Sequence, residues 1–197
     1  MTDPTLRRRE VVAALLEERG DLLVVAGLGS AAWDCTAAGD HPLTFPLWGA
    51  MGQAAMMGLG LALAQPRWRV LVVTGDGEAL MGLGALATIG VQAPQNLSIV
   101  VLDNGRYGET GMQESHTAFG VDLARIAGAC GFPWAENVAS AQQLPDLRLA
   151  VHTRPGPNFA VVKVMVEKPP LVLPPRDGAL LKARFRRALL GPEADTQ

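Results

Sequence analysis

Apolar positions along the chain fall into two alternating periods. Runs of consecutive aliphatic residues at 21–27, 69–74, 97–102 and 159–166 have the length and β-branched content of buried strands, with a shorter run possible at 133–136. Between them the spacing becomes helical, predicting helices at 6–18, 30–38, 51–64, 79–90, 121–130 and 140–149. The turn Gly27-Leu28-Gly29 closes the first strand and leaves Ser30 to cap the helix behind it, while Pro94 and Asn96 break the chain before the run at 97–102. Strands alternating with helices, with few hairpin signals, predict an α/β fold: a doubly wound, mostly parallel sheet with helices on both faces.

Two stretches depart from that rhythm. Residues 47–64 are uncharged and largely apolar, about the length of a membrane span. Gly49, Gly52, Gly58 and Gly60 punctuate the stretch and Gln53 interrupts it, which favours a glycine-rich helix buried in a tight core. After Val166 the chain turns proline-rich, through Lys168-Pro169-Pro170 and Pro174-Pro175. It then resumes as a basic amphipathic helix at 179–190, with Leu180, Leu181, Phe185, Ala188 and Leu189 as its apolar face. The expected organisation is therefore a main domain at 1–167 and a proline-rich linker with a terminal helix at 168–197, the helix packing on its own domain or on a partner subunit.

Composition limits the functional classes. With 49% hydrophobic residues, 18% charged residues and 22 glycines in 197 positions, the chain reads as a heavily buried α/β domain. A net charge of −2 and only 5% aromatics give no reason to expect nucleic acid or an acidic membrane surface as partner. Cys35 and Cys130 are far apart and form no CxxC, against a zinc site, an iron–sulfur cluster or a disulfide framework. The polar first ten residues have no apolar signal core behind them, so the expected location is cytoplasmic.

The chemistry concentrates at two predicted strand ends. Gly75-Asp76-Gly77 follows one apolar run and Asp103-Asn104 ends the next, 28 positions on, enough for one helix, a turn and one strand. A right-handed crossover of that length sets the two side by side at the carboxyl edge of a parallel sheet, where such folds bind ligands. Gly77 permits a tight turn and close backbone approach, and a helix starting behind it would aim free N–H groups at an anion such as a diphosphate. Asp76, an Asn104 oxygen and a loop carbonyl near Arg106 are hard oxygen donors suited to Mg²⁺, which completes its octahedron with phosphate and water. A lone Gly-Asp-Gly after a strand is also a common ordinary loop.

At these residues the chain resembles the diphosphate-binding domain of thiamine-diphosphate enzymes, whose pattern is Gly-Asp-Gly, just under thirty residues, then Asn-Asn or Asp-Asn. Gly49-Ala50-Met51-Gly52 looks like the family's Gly-Ser-Met-Gly turn, and the loop from Asn104 through Gly108 to Gln113 adds a third match. With the segment 84–90, these most closely resemble the sulfopyruvate and phosphonopyruvate decarboxylases, over residues 6–166. The resemblance implies thiamine diphosphate and Mg²⁺ as cofactors, with Asp76, Asn104 and the Arg106 backbone carbonyl on the metal. Gly75, Gly77, Glu78, Tyr107 and Gly108 would surround the diphosphate, Gly77 and Glu78 through backbone amides. Met51 would be the apolar wedge that bends the cofactor, and the Gly49 carbonyl would accept from its amino group. The activating glutamate comes in this family from a pyrimidine-binding domain. The expectation is thus the β-type half of a split decarboxylase for a short anionic 2-oxo acid, joined to an α-type subunit in a hetero-oligomer built on dimers.

Several residues leave alternatives open. Glu78 stands where the family usually has a small residue, and a carboxylate beside a diphosphate is unfavourable unless it turns away or meets a cation. Arg106 is either that cation, an anchor for a sulfonate or phosphonate, or a solvated loop residue. His116 follows the cofactor loop and is either a proton-transfer group or an exposed loop histidine. His41 and His152 lie in turn-like segments, and Asp103 is either a support for the site or a strand-end cap. Other functions in view are a non-catalytic cofactor-binding or regulatory subunit and the β subunit of a 2-oxo acid oxidoreductase. No Gly-x-Gly-x-x-Gly opens a helix after the first strand, which disfavours a plain dinucleotide-binding module.

Overall fold

The computed structural model describes residues 5–195; the outermost ends of the two expected units, 1–4 and 196–197, lie outside it. Six strands, β1 (Leu23–Ala26), β2 (Thr44–Pro46), β3 (Val70–Gly75), β4 (Leu97–Asp103), β7 (Trp134–Val138) and β8 (Asn158–Lys163), form one sheet in the order β2-β1-β3-β4-β8-β7. Every pairing in it is parallel. A two-residue antiparallel ribbon, β5 (Arg106–Tyr107) with β6 (Gln113–Glu114), rises from the end of β4.

Strand alternation builds two cores. Val24, Leu71, Val73, Val100 and Ala160 point to one face, covered by α1 (Arg8–Leu16), α2 (Ser30–Ala37) and α7 (Leu144–His152). Leu23, Val72, Ile99, Val101 and Phe159 point to the other. That face is covered by α3 (Ala54–Ala64), α5 (Ala85–Gln92), α6 (Leu123–Ala129) and Phe185 of α8 (Gly178–Leu190). All seven residues of β4 are buried, as a central strand covered on both faces requires. From β1 the chain moves outward to β2, then crosses back over β1 to β3. The connections leaving β1 and β3 therefore diverge, which opens a crevice at their carboxyl ends.

Four expectations need correction. The helix expected at 79–90 is two: α4 (Asp76–Met81), which starts three residues earlier, and α5. Gly82 stands at the break, where a Cβ would lie 2.1 Å from the Gly52 carbonyl oxygen, so the turn preceding α3 presses into the gap between the two helices. The helix expected at 51–64 begins at Ala54, leaving Met51 in that turn. Nor is it buried on all sides. Ala54, Gly58, Leu59 and Ala62 face the sheet, with Gly58 so close that a Cβ would meet the Val72 side chain at 2.2 Å, while Met56, Met57 and Leu63 are 37–50% exposed. Its small residues serve close approach to the sheet along one face. Ser30 is the first helical residue of α2 rather than its cap; Gly29 holds the cap position with φ +71°.

The terminal segment folds back onto the same body. Phe185 packs edge-on against Phe45 of the edge strand β2, ring centroids 5.7 Å apart, and Leu181 is buried beside it. Leu180 and Ala188 are exposed, so the apolar face is narrower than the pattern suggested. The proline-rich stretch is tied down by Arg9 donating to the Pro170 carbonyl and by Trp48 Nε1 donating to the Pro175 carbonyl at 2.8 Å. Arg184 pairs with Asp40 at 2.6 Å. Among the described residues no helix is long and apolar enough to cross a membrane.

Candidate functional site

A cleft opens where the topology puts it, at the carboxyl ends of β1, β3 and β4. Leu28, Ser30 and Ala31 line it after β1, Thr74 to Glu78 after β3, Asn104 and Arg106 to Thr110 after β4, and Met51 from the turn before α3.

Asp76 opens α4 and is 2% exposed. Its Oδ2 accepts from Ser115 Oγ at 2.5 Å. Thr117 Oγ1, 2.9 Å from Ser115 Oγ, donates instead to Asp103 Oδ1 at 2.7 Å. Asp103 in turn pairs with Lys163 through Oδ2 and accepts from the Gly105 amide at 2.9 Å. Each hydroxyl has one proton, so this chain of donors fixes Asp76 through one oxygen and leaves Oδ1 without a side-chain partner among the described residues. Burial pushes the Asp76 carboxyl up to about 6, opposed by the Ser115 hydrogen bond and aided by the Asp103 charge. Asn104 Oδ1 accepts from the Arg106 amide at 2.9 Å, which turns the chain into the β5–β6 ribbon and keeps an amide oxygen beside the cleft.

Tyr107 of β5 lies over Gly77. A Cβ on Gly77 would stand 2.6 Å from the ring, with Met51 Cε 3.6 Å away on another side. Glu78, 4% exposed, turns toward the end of β1, where its Oε2 accepts from Thr74 Oγ1 at 2.8 Å and from the Leu28 amide at 3.1 Å. Gly27 makes room for it: a Cβ there would fall 2.0 Å from Oε2. Burial raises the Glu78 pKa against these hydrogen bonds and the nearby Gly52 and Ala54 amides, and among the described residues no donor reaches hydrogen-bond geometry at Oε1. The carboxylate is thus held by uncharged donors and not by Arg106, which pairs with Glu114 at 3.1 Å.

Residues 29–164 match the family described as thiamine pyrophosphate enzyme, C-terminal TPP binding domain. The chain belongs to this family. It is 37% identical over 183 residues to phosphonopyruvate decarboxylase of Streptomyces viridochromogenes, covering 92% of this chain and 46% of that protein. It is 35% identical over 193 residues to the sulfopyruvate decarboxylase subunit beta of Methanothermobacter thermautotrophicus, covering 96% of this chain and 99% of that one. The chain therefore spans less than half of the phosphonopyruvate decarboxylase and nearly all of the β subunit. Among solved structures, benzoylformate decarboxylase from Polynucleobacter necessarius superposes with a TM-score of 0.68 over 84% of this chain and 34% of that one. At 20% identity it speaks for the fold alone.

Set against the family pattern, the cleft gathers Met51, Gly75, Asp76, Gly77, Glu78, Asn104, Arg106, Tyr107 and Gly108 in one place. Gly49 is exposed and does not line the cleft. His116 is exposed and also outside the lining, its Nδ1 3.3 Å from the Tyr107 hydroxyl. His41 and His152 make backbone contacts elsewhere, to the Leu43 amide and the Leu15 carbonyl. Asp103 supports the site through Thr117. Sequence reasoning missed Ser115 and Thr117, which carry no motif, and the contribution of Leu28, Ser30 and Ala31, whose only signal was the glycine turn after the first strand. It also missed Arg8, which lines the cleft from the start of α1.

The thiamine-pyrophosphate family implies a metal–diphosphate pair, and the donor set suits one. Among the described residues no group of three or more His, Cys, Asp or Glu forms a metal cage. One buried carboxylate whose second oxygen has no side-chain partner among the described residues, beside an amide oxygen, instead matches a cation that takes few protein ligands and fills its shell with phosphate and water.

Proposed function

We propose that this chain is the diphosphate-binding, β-type subunit of a split thiamine-diphosphate-dependent decarboxylase. Its substrate would be a short anionic 2-oxo acid of the sulfopyruvate or phosphonopyruvate kind. The observation that carries this reading is Asp76: buried, fixed through Oδ2 by Ser115, and presenting Oδ1 beside Asn104 in a chain that aligns nearly end to end with a sulfopyruvate decarboxylase β subunit.

In this reading Asp76, Asn104 and the Arg106 carbonyl hold Mg²⁺, and the Gly77 and Glu78 amides with Gly75, Tyr107 and Gly108 enclose the diphosphate. Met51 would support the cofactor from the apolar side, and the Gly49 carbonyl would accept a hydrogen bond from it once a partner closes over that exposed turn. His116 would face the substrate only from that same interface. Bound thiamine diphosphate supplies the electron sink for decarboxylation. The activating glutamate comes from an α-type, pyrimidine-binding subunit, giving a hetero-oligomer built on dimers. Residues 1–167 form the cofactor domain, with 168–197 as an appendage strapped to it. Cytoplasmic residence belongs to the same proposal, supported by two free cysteines; Cys35 is buried, its thiol pushed up to about 12 by burial.

The non-catalytic alternative rested on Glu78 repelling the cofactor. The turn of that carboxylate toward Thr74 and Leu28 removes the motive for it. To test the proposal, the chain is co-expressed with its candidate α-type partner and CO₂ release is measured from a panel of 2-oxo acids, with and without Mg²⁺ and thiamine diphosphate. Cofactor-dependent release from the sulfonate or phosphonate substrate is expected. Tight cofactor binding with no turnover on any 2-oxo acid would leave the regulatory reading in its place.

A further inference from the structure

Three arginines follow one another at the start of α1, and their partners differ. Arg7 pairs with Glu167 at 3.4 Å. Arg9 Nε donates to Asp34 Oδ1 at 3.0 Å and its terminal nitrogen donates to the Pro170 carbonyl. Arg8 is 5% exposed and its Nε is 3.3 Å from Asp34 Oδ2, yet it makes no hydrogen bond among the described residues, and Nε is itself buried and unsatisfied. One fully buried carboxylate thus faces two guanidinium groups, and Arg9 already takes its well-formed hydrogen bond. The cluster retains one positive charge, shared by Arg8 and Arg9 across a single carboxylate, under cover of α1 and α2.

Burying a cation without hydrogen bonds is expensive, and the arrangement makes sense when an anion completes it. Arg8 lines the same cleft as Leu28, Ser30, Ala31, Asp76 and Asn104. The other lining arginine, Arg106, is paired with Glu114. Ser30 and Ala31 begin an eight-residue helix whose cap is a glycine with no side chain, so their amides have no acceptor within the helix. A buried guanidinium and the first two residues of a helix lining the same cleft suit a tetrahedral oxyanion, which the planar fork of arginine fits better than a lysine would.

We infer that Arg8 is an anchor for the terminal phosphate of the cofactor's diphosphate, acting from the α1–α2 side of the cleft. This rests on the thiamine-diphosphate reading given above. An oxyanion at this spot could also be the substrate's sulfonate or phosphonate. The neighbourhood of Ser30, Ala31 and Asn104, deep at the strand ends, favours the diphosphate.

The test is calorimetric titration of the full chain, wild type and Arg8→Gln, with Mg²⁺–thiamine diphosphate and with Mg²⁺–pyrophosphate, which has the diphosphate and nothing else. Arg8→Gln is expected to bind both at least ~10-fold more weakly, as loss of a charge-assisted, bidentate contact implies. If Arg8→Gln does not fold, Arg8→Lys keeps the charge beside Asp34 but not the fork, and is expected to weaken both ligands by a smaller, roughly three- to tenfold factor. Unchanged affinity for both ligands in the folded variant overturns the inference. So does a variant whose only defect, at saturating cofactor in the assembled enzyme, is a raised KM for the 2-oxo acid, which would assign the guanidinium to the substrate. Failure of the wild-type chain and the assembled enzyme to bind thiamine diphosphate at all would instead remove the functional reading on which the inference stands.

Discussion

Asp76 is held in a condition that suits a ligand better than it suits the ligand-free fold. Its carboxyl titrates near 6 in the folded chain against 3.8 for an unperturbed aspartate, so the folded state binds the proton more tightly than the unfolded state does. Stability is therefore penalised above pH 6, and the penalty fades as pH falls from about 6 toward 3.8; two pKa units correspond to about 3 kcal/mol. Glu78, also raised by burial, acts in the same direction. Asp76→Asn should consequently raise the ligand-free melting temperature at pH 7.5, flatten its rise on acidification to pH 5, and abolish Mg²⁺-dependent cofactor binding. Thermal melts across pH, paired with cofactor titration, check both halves, and an asparagine variant that is less stable at pH 7.5 would contradict the burial argument. Gly77 is constrained by space in the same small volume. Gly77→Ala should lose about 1–3 kcal/mol by driving a methyl into the Tyr107 ring, and a second change, Tyr107→Ala, should recover part of that loss. A double-mutant cycle by urea unfolding measures the coupling; strict additivity would mean the ring is not what Gly77 makes room for.

At the scale of elements, the site depends on a short ribbon bracing a strand end. The β5–β6 hairpin and the adjoining 3-10 turn at His116–Phe119 carry Ser115 and Thr117 back to Asp76 and Asp103, so the loop that encloses the cleft also orients the carboxylate beneath it. Ser115→Ala removes the donor at 2.5 Å and lets Asp76 swing; one such hydrogen bond to a charged group corresponds to about 1.5–3 kcal/mol. Mg²⁺-dependent cofactor affinity should fall roughly 10-fold or more, measured by titration at fixed Mg²⁺, and unchanged affinity would refute the bracing role. The strands ending at Gly75 and Asp103 were legible in the sequence because covered parallel strands are long, continuous apolar runs. Asp76 and Asn104 were legible because a parallel topology delivers the residues just past such strands to one edge of the sheet. The hairpin was not. Two-residue strands in a largely polar loop have no period to read, and the serine and threonine that matter act on carboxylates 39 and 14 residues away. The single helix expected at 79–90 failed for a related reason: Leu80, Leu83 and Leu86 keep a helical spacing across the break, while the cause of the break is the backbone of Gly52, distant in sequence. Arg8 shows the same limit. Nothing in Arg7-Arg8-Arg9 distinguishes the buried guanidinium that reaches the cleft from its two neighbours until Asp34 and Glu167 are placed in space.

At the scale of the whole molecule, one side of the fold is left apolar. Met56, Met57 and Leu63 on α3, Met81 at the end of α4 and Val91 on α5 are between 37% and 84% exposed, and α3 packs directly against α5. Single exposed apolar residues are ordinary, but several on adjoining helices mark a surface that a partner covers. Methionine suits such a surface because its unbranched chain adapts to the opposing shape. The patch is continuous with the site. The turn at Met51 and Gly52 that lines the cleft and presses on Gly82 leads directly into α3, so a subunit seated here would reach the cofactor from the side on which this chain supplies only Met51. Met57→Lys combined with Val91→Lys should therefore leave the fold intact, because solvent-facing changes away from packed contacts shift stability by only about 0.5 kcal/mol each. The same pair should sharply reduce co-purification with the proposed α-type subunit and, with it, the proposed decarboxylation. Circular dichroism and melting of the isolated chain establish the first outcome, and size-exclusion chromatography of the co-expressed pair establishes the second. Full assembly with both lysines in place would mean that the partner binds another face, and that the exposed apolar side of α3 and α5 has a different occupant.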